Sequence, residues 1–463
     1  MSAAIIDDLR AAFDATTILT GRDIDARYHT DMAGVPVAPP LAVARPRNTE
    51  DVSKILKLCH QARVAVTTQG GMTGLVRATM PLAGEIVLST ERMNAIEEID
   101  TGGGVVITQT GVPLQRLQER VGEHGFMFPL DLGARGSCTI GGNISTNAGG
   151  NRVIRYGMTR DLVLGLEAVL ADGTILSGAR KYIKNNTGID LKQLFVGTEG
   201  TLGVVTRAAL RIFPAPAEQQ VALCALPSFD KVRALLALAR TRLAGDLTAF
   251  EVMWNEYYRL TTELVKGVAA PLPTNHPFYV LLEASGSDSE RIRNDLELML
   301  ETALEEETIL DATIASSGAA AAAIWKIRDS SVELSRAQGP GGVGFDISLA
   351  IDGMEAFAKA INKALKQIDK DAYAIVFGHA GDGNLHVNAR YTPTQDRTEE
   401  ITELVYGITG DFAGFISAVN GIGILKRPYL KLSRSEEEIE TMRTLKRALD
   451  PHGILNPGRI FTM

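Results

Sequence analysis

Between Pro129 and Gly150 the chain reads PLDLGARGSCTIGGNISTNAGG, with six glycines from Gly133 onward and almost no large apolar side chain. Such a run cannot bury a face of its own, and a structureless loop of this length is uncommon in a compact domain unless it wraps a ligand or builds a site. A shorter run, Gly70-Gly71-Met72-Thr73-Gly74, follows the β-branched segment 63–68. Both runs offer consecutive backbone N–H groups with little side-chain obstruction, the arrangement that receives phosphate oxygens. Neither ends in the Gly-Lys-Ser/Thr of a Walker loop, and neither forms a strand–GxGxxG–helix unit with an acidic partner. Together they point to a dinucleotide-type ligand, with elaborate turns as the alternative reading.

The 463 residues, 45% apolar and 22% charged, make two or three globular domains the expectation. A net charge of −8 lacks the basic field that nucleic-acid binding requires, so nucleic acid is excluded as a partner. Cys59, Cys138 and Cys224 are too far apart for a disulfide framework or an iron–sulfur site, which fits a reduced, cytoplasmic setting. The acidic start MSAAIIDDLR is unlike a signal peptide, and no stretch approaches the roughly 18 apolar residues of a membrane span.

Residues 48–62 predict an amphipathic helix behind an Asn/Thr cap, followed by strands over 63–68, 85–90 and 102–109 and a helix over 112–123. A hairpin is expected around Asp172-Gly173, and a strand pair over 200–213. Pro214-Ala215-Pro216 marks a domain boundary. Beyond it, helices over 229–243, 289–304 and 352–368 alternate with strands over 278–284 and 373–377, and a charged helix covers 435–449. The alternation before the boundary suggests α+β or α/β, and the part beyond it reads as α+β, so an α+β fold class is the expectation. His379 and His386 flank the Gly-Asp-Gly turn of GHAGDGNLH, and a hairpin there brings two imidazoles together at a spacing that suits a metal.

The ordered segments TTQGGMTGLV, FPLDLGARGSCTIGGNISTNAGG, RYGMTRDLVLGLEAVLADGT, VGTEGTLGVVT, GHAGDGNLHVN, NGIGILKRPYL and LDPHGILNPG resemble the FAD-linked D-2-hydroxy acid dehydrogenases over nearly the whole chain. That family includes D-lactate and D-2-hydroxyglutarate dehydrogenases and the flavin subunit of glycolate oxidase. The resemblance implies a two-part FAD-binding domain of the p-cresol methylhydroxylase / vanillyl-alcohol oxidase type over 1–216, with its core at 36–215. It also implies an α+β cap on an antiparallel sheet over 217–420, and a C-terminal segment, 421–463, that returns to the FAD domain. By the same resemblance Gly70, Gly71, Met72, Thr73 and Gly74 wrap the pyrophosphate. Ser137, Gly141, Gly142, Asn143 and Thr146 line the flavin and ribityl chain, Glu199, Gly200 and Val204 the ribityl–adenosine side, Asn456 approaches the isoalloxazine, and Asp131 is a further cofactor-binding residue. The family usually has Asn where Met72 stands, and a Met cannot form the covalent flavin bond that a His makes elsewhere in the superfamily, so the FAD is expected to be non-covalent.

The resemblance also places His379 and His386, with a Glu from a later motif, on a divalent metal such as zinc. Here that motif reads Ser417-Ala418-Val419-Asn420-Gly421, with Val419 for the Glu and Asn420 for the His that acts as base. Two imidazoles without a carboxylate hold zinc weakly, and an amide cannot gain a proton near neutral pH. In the cap, Arg328 stands at the family's carboxylate anchor, Val332 replaces a Thr and Gly344 replaces a Lys, with Asn384 beside the same predicted pocket.

The expectation is an FAD-dependent oxidoreductase acting on a D-2-hydroxy acid, lactate-like or 2-hydroxyglutarate-like, with Arg328 on the carboxylate and Asn420 in the catalytic position. Asp346, His379, His386 and Tyr429 are the candidate bases. The alternatives are a flavoenzyme with another alcohol or amine substrate, and a non-catalytic flavin-binding subunit. The expected partners are a small carboxylate, an electron acceptor such as an electron-transfer flavoprotein, a quinone or a cytochrome, and, by analogy, a second copy in a homodimer.

Overall fold

The computed structural model describes residues 2–32, 34 and 38–463, so residue 36, where the FAD-domain core was expected to begin, lies outside the described residues. The chain divides into two compact units, one of Met1–Gly150, Gly157–Ala215 and Val419–Met463, the other of Asn151–Tyr156 and Pro216–Ala418.

In the first unit, the helix Thr49–Ala62 starts where Asn48 accepts the Asp51 N–H at 2.8 Å and ends at Arg63 in the left-handed region. Its Val52, Ile55, Leu56 and Cys59 stripe packs on the strands Ala42–Ala44, Ile86–Ser89 and Val66–Gln69, which run parallel to one another. Each fully buried aliphatic side chain in this layer contributes about 1.5–3 kcal/mol. The left-handed cap at Arg63 delays the strand expected from residue 63 until Val66. Gly70 follows directly on that strand's carboxyl end, the edge at which parallel sheets bind ligands.

A separate five-stranded antiparallel sheet has the order Ile96–Asp100, Val105–Gln109, Val204–Arg211, Val163–Val169, Ile175–Gly178. The strand pair expected over 200–213 is instead one long strand, Val204–Arg211, central in this sheet and paired on both sides. The run 129–150 also differs from expectation, because it contains the helix Ile140–Thr146. Thr139 caps that helix by accepting the Gly142 N–H, and Asn147 ends it at φ 50°.

The second unit is a seven-stranded, wholly antiparallel sheet. Its order is Asp311–Ile314, Glu218–Leu226, Phe278–Gly286, Leu247–Trp254, Tyr373–Gly378, Asn384–Arg390, Gly342–Ser348. Five consecutive alanines, 319–323, belong to the helix Gly318–Asp329, capped by Ser317, whose Ile324 and Ile327 pack with Met253, Tyr257, Ile375 and Phe377. Among the described residues no helix is long and apolar enough to cross a membrane.

Candidate active site

In the first unit the two glycine runs close on each other. A Cβ at Gly71 would lie 2.1 Å from the Ser137 carbonyl oxygen, one at Gly70 2.5 Å from Thr139 Oγ1, and one at Gly141 2.8 Å from Thr110 Cβ. No side chain fits at these distances, so glycine is what lets the two runs approach. The cavity they wall opens to solvent and, counted with that opening, spans about 540 Å³. Gly70, Gly141, Gly142, Thr146, Glu199, Gly200, Val204 and Asn456 all line it. Thr68, Thr79, Thr90 and Ser145 also face it, unanticipated from the sequence; only Ser145, inside the long glycine run, carried a signal.

Asn143 is buried on the helix Ile140–Thr146 with its Nδ2 unmatched by any protein acceptor, and buried Thr68 Oγ1 is likewise unmatched. Buried polar atoms of this kind call for a ligand or water to complete them. Gly71, Met72, Thr73, Gly74, Ser137 and Asn143 lie outside the cavity lining, and Met72 holds a left-handed φ of 55°. Asp131 also lies outside it, 3.5 Å from Arg135 in an ion pair. Asn456 uses both ends of its amide on the protein: Oδ1 accepts from the Thr68 N–H at 2.9 Å, and Nδ2 donates to the Glu199 carbonyl at 2.6 Å. It braces the cavity wall. Val419 and Asn420 are half-buried, and Val419 Cγ1 lies 2.9 Å from where a Cβ at Gly149 would stand.

In the second unit a buried polar network surrounds Arg328, near the end of the alanine helix. Its Nε donates to Glu251 Oε2 at 2.7 Å, and its Nη2 lies 2.8 Å from His379 Nε2. A guanidinium can only donate, so His379 accepts at Nε2 and gives the proton on Nδ1 to Glu251 Oε1, 2.6 Å away. Burial disfavours charge on Glu251, but the His379 and Arg328 contacts outweigh it and hold the carboxyl at about 2. Tyr257 completes the support by donating to the Arg328 carbonyl at 2.6 Å while stacking on Phe377. Glu251 was missed in the sequence, although a lone Glu in the apolar strand Leu247–Trp254 was its signal.

The hairpin Tyr373–Gly378/Asn384–Arg390 sets the two imidazoles with ring centroids 5.4 Å apart. His386 stands opposite Asp346 in register, its Nδ1 3.7 Å from Asp346 Oδ1. Burial drives the His386 pKa down to about 3 against the pull of Asp346. Asn384 is buried and donates to Asp346 Oδ1 at 2.8 Å and to the Ile347 carbonyl at 2.9 Å. Val332 is exposed on the helix Ser331–Ala337. Gly344 is exposed on its strand, and a Cβ there would meet nothing within 4 Å.

These residues do not fit the divalent metal that the sequence resemblance implies. His379 Nε2 already faces a guanidinium, Val419 has no donor atom, and among the described residues no three His, Cys, Asp or Glu side chains converge as metal ligands.

A profile described as "FAD linked oxidases, C-terminal domain" matches residues 215–460, and one described as "FAD binding domain" matches residues 40–178. The chain belongs to the FAD-linked oxidase family. Among its relatives, the mitochondrial D-2-hydroxyglutarate dehydrogenase of Bos taurus is 41% identical over 90% of this chain and 76% of its own. The D-2-hydroxyglutarate dehydrogenase of Stutzerimonas stutzeri is 36% identical over 99% of both chains. Of the solved structures, p-cresol methylhydroxylase shares the fold at a TM-score of 0.81 and 15% identity, over 99% of this chain and 97% of that one. Alkyldihydroxyacetonephosphate synthase does so at 0.76 and 16%, over 98% and 84%. As a family member the chain is an FAD-linked oxidoreductase, and the glycine cradle, with the unmatched Thr68 Oγ1 in the cavity wall, fits the FAD.

Proposed function

We propose that the chain oxidises a D-2-hydroxy acid to the 2-oxo acid, and that the preferred substrate has no second carboxylate. The identity that runs through both units with D-2-hydroxyglutarate dehydrogenases carries the reading of reaction class. The absence of a cation at Gly344 and of a hydroxyl at Val332 supports the smaller substrate. When bound, the flavin supplies the two-electron acceptor for the hydride that leaves C2. Arg328 spends Nε and Nη2 on Glu251 and His379; its Nη1, with Asp329 Oδ1 3.8 Å away, is the arm left for a substrate carboxylate.

The hydroxyl proton needs a base, and the Asn420 amide can accept a hydrogen bond but not the proton; it orients the hydroxyl. His379 is committed at both ring nitrogens, and the Asp346 carboxylate already accepts from Asn384. Burial keeps His386 neutral, so its ring carries a lone pair that can take the proton as the hydride leaves, and Asp346 beside it offsets part of the cost of the imidazolium. A cytoplasmic location, suggested by three buried free cysteines, belongs to the same reading. So do a homodimer and an acceptor such as an electron-transfer flavoprotein, quinone or cytochrome, on family resemblance.

The test is stopped-flow reduction of the bound flavin by D-lactate and D-2-hydroxyglutarate, in wild type and His386→Gln. The reading expects a lower KM for D-lactate and a drop of about 10²-fold or more in the His386→Gln rate. Preference for the dicarboxylate, or an unchanged variant, contradicts it. The Val419-Asn420 pair favours a second reading, a flavin-binding subunit without this activity, which a flavin that no acid reduces would support.

A further inference from the structure

Glu199 sits at the meeting point of four segments of the first unit. Its backbone is left-handed, φ 50°, although it is not a glycine, and its side chain is buried. Its N–H donates to the Ser145 carbonyl at 2.8 Å, in the helix of the long glycine run, and its own carbonyl accepts from Asn456 Nδ2. The two carboxylate oxygens accept from consecutive amides of a distant turn, Ile422 N–H at 2.6 Å and Gly423 N–H at 2.8 Å. Gly421 makes room for this grip: at φ 79°, a Cβ there would lie 2.6 Å from Glu199 Oε1. The gripped turn directly follows Val419-Asn420, and Glu199 itself lines the cavity that fits the FAD.

A buried carboxylate on a strained backbone is a costly way to tie down a loop, and such features persist where position matters to function. We propose that Glu199 is a positioning residue, whose carboxylate clamps the Gly421–Gly423 turn to the wall of the flavin cavity and so sets where the Asn420 amide is presented. The catalytic half of this inference rests on the orienting role given to Asn420 above; the clamp itself does not. Burial raises the Glu199 pKa to about 7, opposed by the two amide hydrogen bonds and by the charges of Lys426 and Arg459. The clamp is therefore best tested at pH 8, where the group is ionised and both oxygens accept.

The experiment compares holoenzyme wild type, Glu199→Gln and Gly421→Ala, with circular dichroism to confirm folding. Hydrogen exchange is read across 419–426, FAD affinity by recovery of flavin fluorescence, and flavin reduction by D-lactate under anaerobic conditions. Glu199→Gln keeps one acceptor and turns an N–H₂ toward the other donor. The inference expects exchange at Ile422 and Gly423 to rise at least tenfold in both variants. It also expects the limiting rate of flavin reduction to fall at least tenfold, while KM stays within threefold. Unchanged exchange overturns the clamp. Faster exchange with an unchanged rate overturns the positioning role. If wild type is not reduced by any D-2-hydroxy acid, the functional reading fails separately, and exchange alone decides whether the clamp stands.

Discussion

His379 Nε2 and Arg328 Nη2 stand 2.8 Å apart, so the lone pair that a metal ligand would offer is directed at a guanidinium. That guanidinium stays protonated at any accessible pH and is itself held by Glu251 at 2.7 Å. Displacing it would break a buried charge pair. Dialysis against a strong chelator is therefore expected to leave the rate of flavin reduction within twofold, and elemental analysis to find well under one zinc per chain. One tightly held zinc, with activity lost on its removal, would contradict this.

The same pair gives a stability prediction. Glu251 has a folded-state pKa of about 2, below its ordinary 4.5, so the unfolded chain takes up its proton first as the solution is acidified. The stability from this shift is complete above pH 4.5 and drains away as pH falls through about 2; it is on the order of 3 kcal/mol. Arg328→Ala leaves the buried carboxylate with only the neutral His379 contact and should cost about 3 kcal/mol at pH 7. Thermal melts of wild type and Glu251→Gln between pH 2 and 5 check the sign: wild type loses stability steeply and the variant much less. Parallel slopes would refute the assignment.

Asn420→His restores a group that can gain a proton. In the His386→Gln background, where the account leaves no base, Asn420→His is expected to restore flavin reduction about 10²-fold above pH 7. Its pH–rate profile gains a limb near the ordinary histidine pKa of about 6.5. An unchanged rate and profile would show that proton removal does not limit the reaction at this residue.

Met72 occupies a backbone conformation, φ 55°, that Asn tolerates far better than Met. Met72→Asn should raise the stability of the holoenzyme by about 0.5–1 kcal/mol, read as a higher melting temperature with unchanged flavin content. A lower melting temperature would mean that the Met side chain contributes more through packing than its backbone strain costs.

The parts of the fold readable in the sequence are those set by local patterning. The stripe of Val52, Ile55, Leu56 and Cys59 behind Asn48 marks its helix by local pattern alone, and packing on the sheet stabilises it. The helix Ile140–Thr146 was hidden because Gly141, Gly142, Ser145 and Asn143 have weak helix preference. Its cap at Thr139 and the close approach of Gly141 to Thr110 hold it instead. The glycine runs announced a site, yet the sequence could not show that the carboxylate partnering Arg328 is Glu251, 77 residues earlier. Nor could it show that Glu199 reaches amides 223 and 224 residues further on, since such pairings exist only once the chain has folded.

The most direct test of the account is the visible spectrum of the purified protein, followed without oxygen as D- and L-lactate are added in turn. The account predicts a non-covalent flavin band that D-lactate bleaches and L-lactate does not, with the flavin released on denaturation. A protein that carries no flavin, or a flavin band that neither D-lactate nor any other D-2-hydroxy acid bleaches, would contradict it.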